Sequence, residues 1–390
     1  MFFYKNSHFT SGKNRCFQLL IFFTKGEIFK MNTEDKLYRD LQVHLDKQTI
    51  GFPATESGSD IRLLKQLFPP RQAEMTMLLT YKYETLEQIH ERAKDGVSSE
   101  ELERVLDETA ARGVIGYRKK DGIKQYRNIP YIVGMAEAAA HNPTPEFISA
   151  ATEYAEDPSF WIAFLNTEVP QMRAIPIEKS ITKDHHIGTY DEIKDIIEKT
   201  EDPIAIIECV CRNLAEQRGE PCKLTARKET CMSFRDGARN LIDSGGGREI
   251  SKEEALEIMR QNEEDGMVLQ PSNAQKPDFI CSCCGCCCGI LRVHKAVQNP
   301  VDYWATNFHA IVDTDLCSGC ANCEESCQAD AIKFDEENNI PTIDLTRCLG
   351  CGNCVASCPD EAMELRKKEK EVIPPPTGED MFEVIMTHKA

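Results

Sequence analysis

The chain lacks any apolar run as long as the roughly 18–20 residues that a transmembrane helix needs. Its stretch FQLLIFF, at residues 17–23, is much shorter, and no small-residue cleavage site follows it. The preferred interpretation of residues 1–30 is a leader or a mis-assigned start, with the protein proper beginning near Met31. A disordered arm and a secretion signal are the alternatives. We therefore expect no membrane span and a cytoplasmic, reducing location.

Positive charge is also scarce. The 390 residues include 46 Lys and Arg against 64 Asp and Glu, which gives a formal net charge of −18. Broad binding to nucleic acid or to anionic lipid needs a basic face. The composition therefore argues against nucleic acid as a partner, and it suits a protein partner with a basic surface.

Cysteine is missing from residues 31–200, although the chain has 19 cysteines. One, Cys16, lies in the N-terminal leader, and the other 18 lie between residues 209 and 358. In a reducing location, such clustered cysteines are metal ligands more often than disulfides. The first half of the chain is therefore predicted to be free of metal chemistry, and the second half to contain it.

Residues 69–130 have the pattern of three helices followed by a hairpin. Thr85 and Ser98 stand at helix N-caps, each with Gln or Glu three residues later, and Asp121–Gly122 is a typical hairpin turn. This order resembles a winged helix-turn-helix domain. The predicted third helix is rich in Glu and Asp, which counts against contact with DNA phosphates. A structural or protein-docking use of the module is the preferred interpretation.

The C-terminal part contains a repeat. CSGCANCEESC begins at Cys317 and CLGCGNCVASC begins at Cys348, so that C-x₂-C-x₂-C-x₃-C occurs twice. Flanking residues also match, including Gly319 with Gly350. A fixed-period echo of this kind indicates a duplicated structural unit.

The repeat resembles the bacterial-type ferredoxin domain that holds two [4Fe–4S] clusters. In that family three cysteines of each run bind one cluster, and the fourth cysteine crosses to the other cluster. The resemblance implies a βαββαβ fold and two ligand sets: Cys317, Cys320, Cys323 and Cys358 for one cluster, and Cys348, Cys351, Cys354 and Cys327 for the other. Zinc is the alternative metal. One departure is Gln328, where the family usually has proline, and it restores a backbone N–H near the second cluster.

The middle of the chain holds ten further cysteines, six of them in the run CSCCGCCC at residues 281–288. At least one extra iron–sulfur cluster is expected, from the candidate ligands Cys281, Cys284, Cys287, Cys209, Cys211, Cys222 and Cys231. The first three repeat the C-x₂-C-x₂-C spacing, and one of the other four would complete the set. Zinc and thiol–disulfide chemistry are the alternatives. This region resembles iron–sulfur proteins of anaerobes whose role is unassigned.

These features predict an α+β, multidomain protein. The predicted parts are the leader (1–30), a winged-helix-like domain (31–135), a mostly helical cysteine-rich middle region (136–304), a two-cluster ferredoxin-like domain (305–368) and a tail (369–390).

The leading functional prediction is an electron carrier, or an electron-input subunit, that passes single electrons to a partner oxidoreductase. No P-loop, dinucleotide fingerprint or nucleophile triad is present, so no catalytic residue is predicted. The alternative is a redox- or oxygen-responsive winged-helix regulator. A reductase with a substrate site at the middle cysteines is a third possibility.

Overall fold

The computed structural model describes residues 33–93, 96–181 and 188–389. The predicted leader, including Cys16, lies outside the described residues. Among the described helices, none combines the length and apolarity that crossing a bilayer requires.

The N-terminal region is built from helices and a small three-stranded sheet. Its elements are α1 (Thr33–Asp46), α2 (Ser59–Leu67), α3 (Pro70–Thr76), β1 (Glu84–Thr85), α4 (Leu86–His90), α5 (Ser99–Ala110), β2 (Gly116–Lys120) and β3 (Ile123–Arg127).

Local signals explain the later part of this region. Thr85 and Gln88 form the predicted capping box of α4, and the Ser98 side chain accepts a hydrogen bond from the Glu101 N–H to cap α5. Asp121 and Gly122 both have positive φ, as a tight β2–β3 turn requires. The predicted helices and hairpin are confirmed, and the strand order is β1-β3-β2. The winged-helix resemblance itself stays a prediction.

The middle region begins with helices and continues into a sheet. Its elements are α6 (Ala136–Ala139), α7 (Pro145–Glu156), α8 (Pro158–Leu165), α9 (Ile193–Lys199), β4 (Ile204–Glu208), α10 (Val210–Gln217), β5 (Glu229–Phe234), α11 (Arg235–Asp243), β6 (Arg248–Ile250), α12 (Lys252–Glu264), β7 (Val268–Pro271), β8 (Phe279–Cys283) and α13 (Gly289–Ala296).

The middle region contains more helix than strand, but the prediction left out its sheet. A five-stranded antiparallel sheet of order β6-β4-β5-β8-β7 crosses it. Both faces of β4 are covered: Ile204 and Ile206 pack in the core with α9 and α12, and Ile207 packs against Leu241 of α11. Such a strand has no alternation of polar and apolar residues, and a short apolar run does not distinguish it from a helix.

The C-terminal region follows the order strand, helix, strand, strand, helix, strand. Its elements are β9 (Phe308–Val312), α14 (Asn322–Glu325), β10 (Ile332–Asp335), β11 (Ile340–Ile343), α15 (Asn353–Ala356) and β12 (Met363–Lys367). Strand β9 pairs antiparallel with β12, and β10 pairs antiparallel with β11. The two short helices occupy equivalent places in the two repeats.

The predicted tail ends in a packed helix, α16 (Gly378–His388), which the sequence analysis did not anticipate. Its Met381, Phe382 and Ile385 are buried. Its acidic side chains pair with the N-terminal region: Glu379 with Arg118 at 2.6 Å, and Glu383 with Lys82 at 2.6 Å. Helix α16 is therefore held against the N-terminal region by two ion pairs.

We expect Phe382→Ala to lower the free energy of unfolding by about 3 kcal/mol, because truncating a buried aromatic ring leaves a cavity. Thr387→Ala, on the exposed side of α16, should change it by less than about 0.5 kcal/mol. Anaerobic urea unfolding of the full chain measures both values. Equal, small effects would mean that α16 does not pack as described.

Candidate metal centres

All 18 described cysteines are free thiols. They are named here in four groups: the first C-terminal group (Cys317, Cys320, Cys323, Cys358), the second C-terminal group (Cys327, Cys348, Cys351, Cys354), the four-thiol site (Cys222, Cys284, Cys286, Cys287) and the six-thiol ring (Cys209, Cys211, Cys231, Cys281, Cys283, Cys288). The proximity of their sulfurs supports the last three groups, and Cys358 is placed in the first by the ferredoxin resemblance. The division accounts for all ten cysteines of the middle region.

In the second C-terminal group, the fourth cysteine of the first run meets the first three of the second run. Burial, together with the nearby sulfurs of Cys327 and Cys348, raises the pKa of Cys351 to about 12. Burial also raises the pKa of Cys354, with Cys351, Cys348 and Cys327 adding to the effect. Buried sulfurs that oppose each other's ionisation need a cation between them before they become thiolates.

Backbone N–H groups point at two sulfurs of the second C-terminal group. Ala310 donates to the Cys348 sulfur at 3.3 Å, and Ala331 donates to the Cys327 sulfur at 3.3 Å. Such hydrogen bonds stabilise negative charge on cluster ligands and so raise a reduction potential. The chemistry of this donor set fits an iron–sulfur cluster.

The first C-terminal group lies nearer to solvent. The Cys323 thiol is buried and is close enough to Cys317 and Cys320 for their charges to affect it, and Cys320 is exposed. Cys358 is brought toward this run by its neighbour Ser357, whose hydroxyl lies 3.0 Å from that of Ser326. The two runs therefore approach each other at their equivalent serines.

Gly350 shows why the cysteine loops need glycine. Its φ is +62°, and an added Cβ would stand 2.3 Å from the carbonyl oxygen of Phe308 in β9. Any side chain would push the second loop away from the strand beneath it. The glycine thus permits the backbone approach that buries Cys348 and Cys351.

Gln328 joins the C-terminal region to the CSCCGCCC run. Its side-chain Oε1 accepts a hydrogen bond from the backbone N–H of Gly285 at 2.8 Å. A Cβ at Gly285 would lie 2.6 Å from the Gln328 carbonyl oxygen, so only glycine fits this contact. The departure from proline at residue 328 therefore creates a side-chain link between two cysteine groups.

The four-thiol site is compact. The Cys222 sulfur lies 3.6 Å from that of Cys284 and 3.7 Å from that of Cys286, and the sulfurs of Cys286 and Cys287 are 3.6 Å apart. All four lie within 4.8 Å of one another. Metal–sulfur bonds of about 2.3 Å in a tetrahedron put sulfurs about 3.8 Å apart. A cubane holds its ligand sulfurs farther apart because four irons stand between them. The spacing fits one tetrahedral Zn²⁺ or iron ion.

The surroundings of Cys222 favour its anion. Burial raises the pKa of this thiol, but hydrogen bonds from the backbone N–H groups of Thr225 and Leu224, together with the Arg212 and Cys284 side chains, outweigh burial and lower the pKa to about 7. A thiol that ionises near neutral pH is a ready metal ligand.

The C-x₂-C-x₂-C spacing predicted that Cys281, Cys284 and Cys287 bind one centre together. In the structure, Cys281 lies in a different group from Cys284 and Cys287. The reason is that the run begins inside β8, where side chains alternate between faces. Cys281 and Cys283 line the same cavity, whereas Ser282 between them accepts a hydrogen bond from the Asn262 side chain at 2.8 Å. After Cys283 the chain leaves the strand, and Cys284, Cys286 and Cys287 turn toward Cys222.

The sequence does not predict the six-thiol ring, because Cys283 and Cys288 are not among the candidate ligands that the spacing suggests. The sheet order β4-β5-β8 aligns Cys231 and Cys281, and Cys209 and Cys288 are the N-cap residues of α10 and α13. Cys281 and Cys283 are two residues apart in a strand, so the sequence could have predicted that they lie on the same face. This pattern is difficult to recognise in a run where six of eight residues are cysteine.

Comparison with known proteins adds one finding. A family model described as 4Fe-4S dicluster domain matches residues 309–370. These residues are similar to 4Fe–4S dicluster domains. The match supports a C-terminal ferredoxin-like domain that binds 4Fe–4S clusters and takes part in electron transfer. No curated protein and no solved structure matches the chain.

We expect Cys222→Ser and Cys286→Ser each to lower the metal content by about one ion per chain, because one tetrahedral ion needs all four thiolates. Cys16→Ser, outside all four groups, is the matched control. Iron and zinc are counted together by elemental analysis of anaerobically purified protein. Unchanged metal content in both variants would rule out an ion at this site.

Proposed function

We propose that this protein is an iron–sulfur electron-transfer protein, or an electron-input subunit, that delivers single electrons to a partner oxidoreductase. The first C-terminal group would hold one [4Fe–4S] cluster and the second would hold another, each supplying one-electron transfer. At least one further metal centre lies upstream in this proposal. The protein's own residues bind the metal centres, donate hydrogen bonds to their ligand sulfurs and link the regions that carry them.

The observation that carries the proposal is the proximity of Cys327 to Cys348, Cys351 and Cys354. A cysteine from the first run near three from the second is what crossed ligation of two clusters needs. In a pair of independent zinc sites, each site would instead take all its ligands from one cysteine run. The contact therefore supports two linked clusters in one small core.

The burial of the two C-terminal groups differs in a way that suits a relay. Cys320 is exposed, whereas Cys348 and Cys354 are 6% and 7% exposed. The first group is then accessible to a docking protein, and the second faces the interior. Leu316, which is 56% exposed beside the first group, offers an apolar contact within an acidic surface.

The Gln328–Gly285 hydrogen bond supports onward transfer from the second C-terminal group. It connects the residue after Cys327 to the residue between Cys284 and Cys286 at 2.8 Å. If iron occupies the four-thiol site, electrons have a short, mostly bonded route between the two centres. With zinc there, the same contact would only fix the two regions together.

A winged-helix regulator is the second candidate, and the element order of the N-terminal region favours it. The charges do not. Lys124 pairs with Glu103 at 2.9 Å and Asp107 at 2.6 Å, and Arg118 pairs with Glu379. These cations of the hairpin are neutralised within the protein, which leaves less charge for phosphate contacts.

Crossed ligation predicts which substitutions share a phenotype. We expect Cys327→Ser and Cys348→Ser to alter the same EPR signal and to lose about four iron ions per chain, the content of one [4Fe–4S] cluster. Cys317→Ser should alter the other signal. If Cys327→Ser instead reproduces the Cys317→Ser spectrum, the two clusters are not crossed.

We expect no redox-dependent retardation of duplex DNA at low salt, because two of the hairpin cations, Arg118 and Lys124, are paired with carboxylates. Oxidised and reduced protein are compared in gel-shift assays. The double variant Lys119→Gln, Lys120→Gln, which removes the two exposed hairpin lysines, is the control for residual binding. Tight, salt-sensitive binding that depends on redox state and is lost in this variant would favour the regulator.

A further inference from the structure

The six-thiol ring is a closed circuit of neighbouring sulfurs that line one cavity. In order around the ring they are Cys209, Cys211, Cys288, Cys283, Cys281 and Cys231. Each sulfur lies close enough to the two beside it to affect their ionisation. Four of the six residues are at most 9% exposed. Six thiols that converge from several elements of the fold can serve as ligands of one centre.

The ring is too open for a single metal ion. Within the described residues, the four-thiol site is the group of metal-ligating side chains whose donor atoms all lie within 4.8 Å of one another. No three sulfurs of the ring meet that criterion in this part of the chain. A tetrahedral ion needs ligand sulfurs about 3.8 Å apart, and two ions that share thiolates need the same spacing. A larger core bridged by inorganic sulfide fits the opening.

Positively polarised groups lie at the ring. Helices α10 and α13 both start at ring cysteines, so the positive ends of two helix dipoles lie there. Arg212, 3% exposed, is held by the Ser282 carbonyl oxygen at 3.0 Å. Its guanidinium is close enough to Cys209 and Cys231 to interact with their charges. Six thiolates would carry more negative charge than this one buried cation offsets, so a bound metal centre would have to supply the remaining positive charge.

An apolar cavity lies against the ring. It has a volume of about 1000 Å³, and all six ring cysteines form part of its wall. The opposite wall comes from other elements: Ala151 and Ala155 of α7, Trp161 of α8, and Tyr131. The cavity therefore extends beyond the space that the sulfurs enclose, toward a wall of mostly apolar side chains.

We propose that the six-thiol ring binds a polynuclear iron–sulfur centre, and that the adjacent cavity admits small apolar molecules to its irons. This centre is additional to the two C-terminal clusters and to the four-thiol site. Its ligands come from β5, β8 and the starts of α10 and α13, so the core of the sheet holds it rigidly. The site is suited to binding a small neutral ligand at iron, away from water.

Elemental analysis tests the centre. We expect Cys231→Ser and Cys283→Ser each to lose more than one iron per chain together with inorganic sulfide, with the C-terminal EPR signals unchanged. Cys286→Ser, at the four-thiol site, should lose one metal ion and no sulfide. Loss of a single ion without sulfide, or no loss, in the ring variants would overturn the proposal. Retained C-terminal signals separate this result from a failure of the electron-transfer function or of folding.

A small ligand tests the cavity on the intact protein. Butyl isocyanide, an apolar molecule that binds iron through carbon, should change the spectrum of the ring centre. Ala155→Leu narrows the cavity. It should raise the butyl isocyanide concentration needed for the spectral change at least tenfold while the iron content stays the same. Ala296→Leu, on the exposed side of α13, is the matched control. No spectral change, or equal changes in both variants, would show that the cavity does not reach the centre.

Discussion

The arrangement of metal sites depends on one short passage of backbone, residues 279–289. The chain passes there from strand β8 through a loop into helix α13. Alternation in the strand directs Cys281 and Cys283 to one site, and the loop turns Cys284, Cys286 and Cys287 to another. Cys288, at the start of the helix, returns to the first site. A run of six cysteines is thus divided by backbone direction, and adjacent thiols serve different centres.

The second constraint is the contact between Gly285 and Gln328. It brings the C-terminal region against the loop that carries the four-thiol site, and Lys295 adds an ion pair to Asp330 at 3.0 Å. Because the same glycine lies between Cys284 and Cys286, moving the C-terminal region would disturb the geometry of the four thiols. Metal binding at the proposed four-thiol site would therefore be coupled to docking of the C-terminal region.

The sequence predicts the features that depend on local spacing. The duplicated cysteine runs, the helix caps at Thr85 and Ser98, and the Asp121–Gly122 turn could be identified because each is a short-range pattern. The sheet in the middle region could not, since β4 is apolar on both faces and has no periodicity. The division of CSCCGCCC could not either, because it depends on sheet pairing that brings Cys231 beside Cys281. Partners from distant parts of the chain, such as Cys222, have no local signal.

Helix α16 restricts how the ferredoxin-like domain can move. Before it begins, the backbone N–H groups of Gln275 and Lys276 donate to the carbonyl oxygens of Pro375 and Pro376 at 2.8 and 3.0 Å. The segment that leaves the domain is thus fastened to the middle region, and the helix itself lies on the N-terminal region. A domain held at both ends does not swing on a tether between donor and acceptor. In the proposed electron-transfer role, a partner would meet this domain in one fixed orientation relative to the rest of the protein, and the shape of the surface around it would determine which partners can bind.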